Sequence, residues 1–191
     1  MKLVFRSLVV VMTMVGFLAP TGTALAEDEW KDLKDESKRM KIQETCQKTM
    51  DKVAADNPAA KELYDKAYGW AAFDNTKVAF GVSGGGGNGL AVNKKTGEKT
   101  FMKMGTVGIG LGLGVQSYQV LFLFQDEQTF TNFVEKGWQA DASAQAAAGK
   151  HAVSGQTGFV NGMAIYQMTD KGLIASADVA GTKYWKNDKL N

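Results

Sequence analysis

Cysteine and histidine are almost missing from this chain, which carries one of each, Cys46 and His151, in 191 residues. A single cysteine excludes an internal disulfide. One histidine and one cysteine leave no zinc-ligand cluster, and no Asp-x-Asp-x-Asp-Gly calcium loop occurs, so neither a metal nor another cofactor is expected. A membrane-spanning hydrophobic run is also missing: the most apolar stretch, Leu8 to Ala19, is about a dozen residues, against the roughly 20 needed to cross a bilayer as a helix. Charge of one sign is not in excess either, with 22 basic against 20 acidic residues. That balance excludes the strongly basic character of a nucleic-acid binder, so an anionic partner must be met by a local patch.

The chain does have the three-part build of a secretory signal. Lys2 and Arg6 precede the apolar run, and Ala24-Leu25-Ala26 supplies the small residues of a cleavage site before Glu27. Cleavage after Ala26 is expected, with export to the periplasm or cell envelope of a bacterium. Loss of Lys2 and Arg6 turns 22 basic against 20 acidic residues into 20 against 20. Cys46 lies too far past the cut to be the lipid-bearing first residue of a lipoprotein. The expected organisation is a signal peptide over 1–26, a charged segment with an amphipathic helix over 27–57, and one β-rich domain over 58–191, long enough to bury a core.

Beyond the charged stretch Glu27 to Lys41, Ile42, Cys46, Met50 and Val53 recur at helical spacing, and Asn57-Pro58 should end that helix. Ala59 to Ala67 reads as a second helix with Leu63, Tyr64 and Ala67 on its apolar side. From Gly69 the texture changes to short alternating segments broken by Gly, Asn and Lys, as in an antiparallel meander. Strands are expected near Gly69–Phe73, Lys77–Ser83, Gly89–Asn93, Glu98–Met104, Val107–Val115 and Tyr118–Phe124, with Lys94-Lys95-Thr96-Gly97 as a hairpin turn. Asp126 is placed to cap a helix over Glu127–Lys136 with Phe130, Phe133 and Val134 inward. Strands then resume at Trp138 to Ala146, Phe159 to Gln167 and Leu173 to Thr182, the last two joined by a Thr169–Gly172 turn. In Gly108 to Val115 glycine fills every second place, which leaves one strand face bare and calls for something packed closely against it. The fold class is α+β: a curved antiparallel sheet or barrel with two N-terminal helices and one internal helix.

Several motifs look chemical. Gly81-Val82-Ser83-Gly84-Gly85 matches the Gly-x-Ser-x-Gly pattern of a serine hydrolase, with Asp126 or Asp141 and then His151 in the right order. A nucleophile elbow needs a helix straight after the serine, whereas here a glycine run and a strand-like segment follow, so a glycine-rich hairpin loop is the better reading. Gly84 to Gly89 also fits Gly-x-Gly-x-x-Gly but lacks the helix that would hold a pyrophosphate. Bare amides of Gly84, Gly85, Gly86 and Gly87 are candidates for an anion-binding concavity. Asp141 and Asp178 read as solvated or hydrogen-bonded strand residues before they read as paired catalytic carboxylates. His151 reads as a solvated loop residue. Lys34, Lys38, Arg39 and Lys41 crowd the N-terminal helix among interleaved acids, as in an element that meets anionic lipid or, more simply, in a helix packed on the sheet with a solvated charged face.

Taken in order, Ala67-Tyr68-Gly69-Trp70-Ala71-Ala72-Phe73, the Gly81–Leu90 stretch, Gly105–Gly114, Tyr118–Phe124, Phe130–Phe133, Ala140-Asp141-Ala142-Ser143 with Ala147-Ala148-Gly149, and Lys171–Ala175 resemble the SYLF domain over roughly residues 58 to 185. The resemblance implies a compact β-rich domain with supporting helices that binds membrane lipid. It offers no catalytic residues. Family members often end the first strand in an aliphatic-Phe-Pro and follow the Ala-Ser strand with Gly-Pro; this chain has Phe73-Asp74 and Gly149-Lys150 there. Actin is a partner of yeast relatives and is not expected for an exported chain without an additional Src-homology-3 domain. The reading that results is peripheral association with envelope phospholipid, without catalysis. The alternatives are an envelope protein–protein module, which a large exposed apolar patch without a basic rim would favour, and hydrolysis by Ser83.

Overall fold

A computed structural model describes residues 22–140, 158–169, 172–174 and 181–191. The expected signal sequence with Lys2, Arg6 and Leu8–Ala19, the residues Asp141, His151 and Asp178, most of the expected Trp138–Ala146 strand, and Gly149-Lys150 lie outside the described residues. The chain divides into two units, residues 1–34 and 35–191.

Helix α1 runs from Gly22 to Asp56. The charged segment is thus itself helical, because no glycine or proline interrupts residues 23–56 and ion pairs one turn apart, such as Lys48–Glu44 at 2.6 Å, support its exposed face. Within the second unit, Ile42, Cys46, Met50 and Val53 are buried, as their spacing predicts. Helix α2, Pro58–Lys66, starts where Asn57 Oδ1 accepts the Ala60 N–H at 3.1 Å and Pro58 occupies the first turn. Such a cap contributes about 1 kcal/mol. Helix α3, Glu127–Thr131, continues as a π-helical turn over Asn132–Lys136, with Asp126 Oδ1 capping Thr129 N–H at 2.8 Å. Phe130, Phe133 and Val134 are buried as expected.

The sheet has six strands among the described residues: β1 (Gly69–Asn93), β2 (Lys99–Phe124), β3 (Trp138–Gln139), β4 (Met163–Thr169), β5 (Gly172–Ile174) and β6 (Thr182–Lys186). Every pairing is antiparallel. The six short strands expected between Gly69 and Phe124 are two long ones. They form a single hairpin closed by the predicted turn, in which Asn93 Oδ1 accepts the Lys95 N–H at 2.9 Å and Gly97 takes φ 74°. β1 lines one edge of β2 throughout. On the other edge β6 pairs with Met102–Thr106 and β4 with Gln119–Phe124.

The long ribbon is curled, and glycine is the reason it can be. A methyl group on Gly85, Gly87 or Gly89 would stand 2.5–2.6 Å from the carbonyl oxygens of Thr76, Asp74 and Ala72 respectively. The two halves of β1 therefore approach so closely that these three positions have no room for a Cβ, against the opposing backbone and the side chains of Asn75 and Phe73. A break in register between Phe80 and Val82 marks the bend. This corrects one expectation: Gly84–Gly89 is paired strand and not a loop. The close approach expected of Gly108–Gly114 is seen at Gly108, where a Cβ would stand 3.2 Å from Ser83 Oγ, and is tighter at Gly85, Gly87 and Gly89. Gly114, at φ 144°, has open space around it. At Phe73-Asp74 the chain runs straight through β1 without turning.

Alternation divides each strand between two cores. Ala71, Phe73, Val120, Phe122 and Phe124 join Phe130, Phe133 and Tyr184 in an aromatic cluster. Trp70, Ala72, Leu90, Leu121 and Leu123, on the opposite face, pack against Ile42, Cys46, Met50, Val53 and Leu63 of α1 and α2. The run Val120–Phe124 is apolar throughout because both of its faces are covered.

Candidate functional site

On the helix-bearing face of the ribbon, the positions next outward from Ala72 and Leu90 are Asp74 and Asn88. There α1 and β1 enclose a cavity of about 310 Å³, lined by Lys38, Lys41, Ile42, Thr45 and Cys46 from the helix and by Asp74 and Asn88 from the strand. Helical spacing brings Lys38, Lys41, Ile42 and Thr45 to one side, three to four residues apart. Cys46 closes the inner end, where its Sγ donates to the Ala72 carbonyl at 3.1 Å. Burial pushes its thiol up to about 12, so it is a packing residue and not a nucleophile at neutral pH. Asp74 is held by an amide donor, Gln119 Nε2 at 2.9 Å.

Lys38 and Lys41 make no ion pair among the described residues, whereas Lys31 pairs with Asp28 at 3.4 Å and Lys48 with Glu44 at 2.6 Å on the same helix. The structure thus brings two of the four basic candidates together. Arg39 points elsewhere: its Nε donates to the Leu190 carbonyl at 2.8 Å and anchors the segment after β6. Lys34 is exposed on the part of α1 that belongs to the first unit. Of the glycine candidates, Gly84 and Gly86 are exposed on the helix-bearing face near Asn88, while Gly85 and Gly87 face inward against Thr76 and Asp74. All four belong to the strand segment paired with β2.

Ser83 is buried, with its Oγ 3.2 Å from where a Cβ on Gly108 would stand. β1 continues past it for ten residues with no helix, so the nucleophile elbow is not formed. Asp126 is occupied as the cap of α3. No cluster of metal-ligating side chains occurs among the described residues. Among those residues no helix is long and apolar enough to cross a membrane.

Sequence reasoning missed Thr45, Asp74 and Asn88 as parts of the site. The first could have been read from its helical phase with Lys38 and Lys41. Asp74 and Asn88 could not, because only the doubling of β1 brings positions 14 residues apart together.

A curled antiparallel sheet with α1 and α2 on one face and α3 in the aromatic core is an α+β domain. Residues 105–191 match the Ysc84 family, described as Las17-binding protein actin regulator, and this part of the chain belongs to the SYLF family that its sequence resembles. The chain is similar to Beta cell expansion factor A of Aeromonas veronii, 42% identical over 135 residues, which is 71% of this chain and 52% of that protein. It therefore spans about half the length of that relative.

Proposed function

We propose that this chain is a non-catalytic, exported protein that associates peripherally with phospholipid of a bacterial cell envelope. The observation that carries the reading is the cavity in which Lys38 and Lys41, both without acidic partners among the described residues, converge beside the apolar Ile42 and the hydrogen-bonding Thr45 and Asn88. Two cations lining one cleft, where the single carboxylate, Asp74, is engaged by Gln119 Nε2, suit the phosphate of a lipid headgroup, and each basic residue near an anionic surface contributes about 1 kcal/mol. The SYLF resemblance supports the same class of ligand. A lack of catalysis is supported by the strand that follows Ser83, where a nucleophile would need a helix.

The test is co-sedimentation with vesicles of phosphatidylcholine alone and with phosphatidylglycerol added, at low and high salt, using the wild type and a Lys38→Ala/Lys41→Ala variant. Salt-sensitive sedimentation of the wild type with anionic vesicles, weakened about tenfold in the variant, is expected. Absence of the wild type from every vesicle pellet would sink the reading. An envelope protein partner is the second reading. It draws on a bare apolar stretch of the ribbon, and recovery of one stoichiometric envelope protein by crosslinking, with no vesicle binding, would establish it instead.

A further inference from the structure

The helix-bearing face of the β1–β2 ribbon does not end at the lysine cleft. Beyond Asp74 and Asn88 it continues to the bend, where Val78, Phe80, Val82, Val107, Leu113 and Val115 are all largely exposed, Phe80 at 79% and Leu113 at 78%. Register puts Val78 opposite Val115 and Phe80 opposite Leu113, so these side chains stand side by side on one face. Even-numbered positions of β1 carry this face from Trp70 and Ala72 under the helices, through Asp74 and Asn88 at the cleft, to Val78, Phe80 and Val82 in the open. No Asp, Glu, Lys, Arg or His occurs between residues 78 and 93 or between residues 104 and 125.

We propose that this bare face is a lipid-insertion surface: its side chains dip into the hydrocarbon edge of one leaflet while Lys38 and Lys41 hold headgroup phosphates. This rests on the lipid reading above and deepens it. The choice of occupant follows from chemistry and spacing. A protein partner normally meets Tyr, Trp or Arg anchors and one hydrogen bond per roughly 100–200 Å²; this patch offers one phenylalanine, aliphatic side chains and no charge. A hydrocarbon phase asks for nothing more. Asp74 and Val78 lie four residues apart on one strand, about 13 Å, comparable to the distance from headgroup phosphates to acyl chains reached by amphipathic elements that sink about 5–10 Å into the boundary. Only side chains need enter, which leaves the ribbon's backbone edges at the hydrated interface and avoids stranding their polar groups in hydrocarbon.

The experiment places a polarity-sensitive fluorophore at Phe80→Cys and, as a control, at Glu62→Cys on α2, in the full chain carrying Cys46→Ala so that only the introduced thiol takes the label. Vesicles of phosphatidylcholine and phosphatidylglycerol are then added, with and without chain-brominated lipid. The label at 80 should shift to the blue and be quenched by bromine, and the label at 62 should do neither. Phe80→Asp/Leu113→Asp should weaken vesicle binding at least tenfold with an unchanged thermal melt; if that variant does not fold, the label at 80 decides. Should the wild type sediment with vesicles while the label at 80 stays in water, the insertion surface is wrong and the lipid reading stands. Failure of the wild type to bind any vesicle overturns both. A blue shift that follows protein concentration without vesicles, with a dimer in sedimentation velocity, assigns the face to a second copy and overturns the proposal.

Discussion

The side-chain amide of Asn191 pairs with the backbone of Phe101 as a neighbouring strand would: its Oδ1 accepts the Phe101 N–H at 2.8 Å and its Nδ2 donates to the Phe101 carbonyl at 2.8 Å. The same Nδ2 donates to Asn187 O at 2.9 Å. Together with Arg39 Nε on Leu190 O, these bonds fasten the segment after β6 to α1 and β2.

Asn191→Ala should therefore lower stability by about 2 kcal/mol, since each such hydrogen bond contributes roughly 0.5–1.5 kcal/mol. Asn191→Asp keeps an acceptor for Phe101 N–H but loses both donations and should also destabilise. Urea unfolding followed by circular dichroism measures both. A loss under about 0.5 kcal/mol for the alanine variant would mean that the contacts contribute little.

Neighbouring glycines should respond unequally to the same substitution. Gly87→Ala drives a methyl group to 2.5 Å from Asp74 O and closer still to the Asn75 amide, whereas at Gly86 the nearest atom is Met104 O at 3.6 Å. Expected is a loss of about 3 kcal/mol or more for Gly87→Ala, as for overpacked cores, and a change within about 0.5 kcal/mol for Gly86→Ala. Equal midpoints for the two variants would show that the halves of β1 are not in contact.

Cys46 makes stability fall in alkali. Its folded pKa is raised by burial from 9.0 to about 12, so its contribution is complete below pH 9 and is lost as pH rises through the folded value. By pH 10.5 about 2 kcal/mol should have gone. Thermal melts at pH 7.5 and pH 10.5 should therefore differ more for the wild type than for Cys46→Ala, and Ellman's reagent at pH 8 should modify the thiol only after unfolding. Rapid modification of the native protein would contradict the burial.

Phe122 holds the aromatic core together, with ring centroids at 5.0 Å from Phe133 and Tyr184, 5.4 Å from Trp138 and 5.9 Å from Phe73. Phe122→Ala should cost about 3–5 kcal/mol, and near-ultraviolet circular dichroism should weaken as the packed rings loosen. Leu113→Ala on the exposed face should leave the unfolding midpoint unchanged.

Much of the fold was legible. The end of α1 at Asn57-Pro58, the cap Asp126, the turn Lys94–Gly97, the buried faces of all three helices and the antiparallel sheet follow from short-range rules that the structure obeys. What misled was glycine. Gly84–Gly89 reads locally as a loop, because glycine is costly in a strand and common in turns; its place in β1 makes sense only once Thr76, Asp74 and Ala72 are found against it. The lysine site was half legible for the same reason: Lys38 and Lys41 share a helix side by spacing alone, but Arg39 is diverted by Leu190, a partner far along the chain.

Sequence by itself settled what depends on neighbours within about four residues: helix phase, caps, the hairpin turn and the strand alternation that assigns each side chain to a face. Only the tertiary structure decided which faces are covered. Leu121 and Leu113 stand on the same face of β2 and are alike in polarity, yet one is buried beneath α1 and α2 and the other is 78% exposed. The difference is set by where the ribbon bends and how far the helices reach, which are properties of long-range packing that no local pattern encodes.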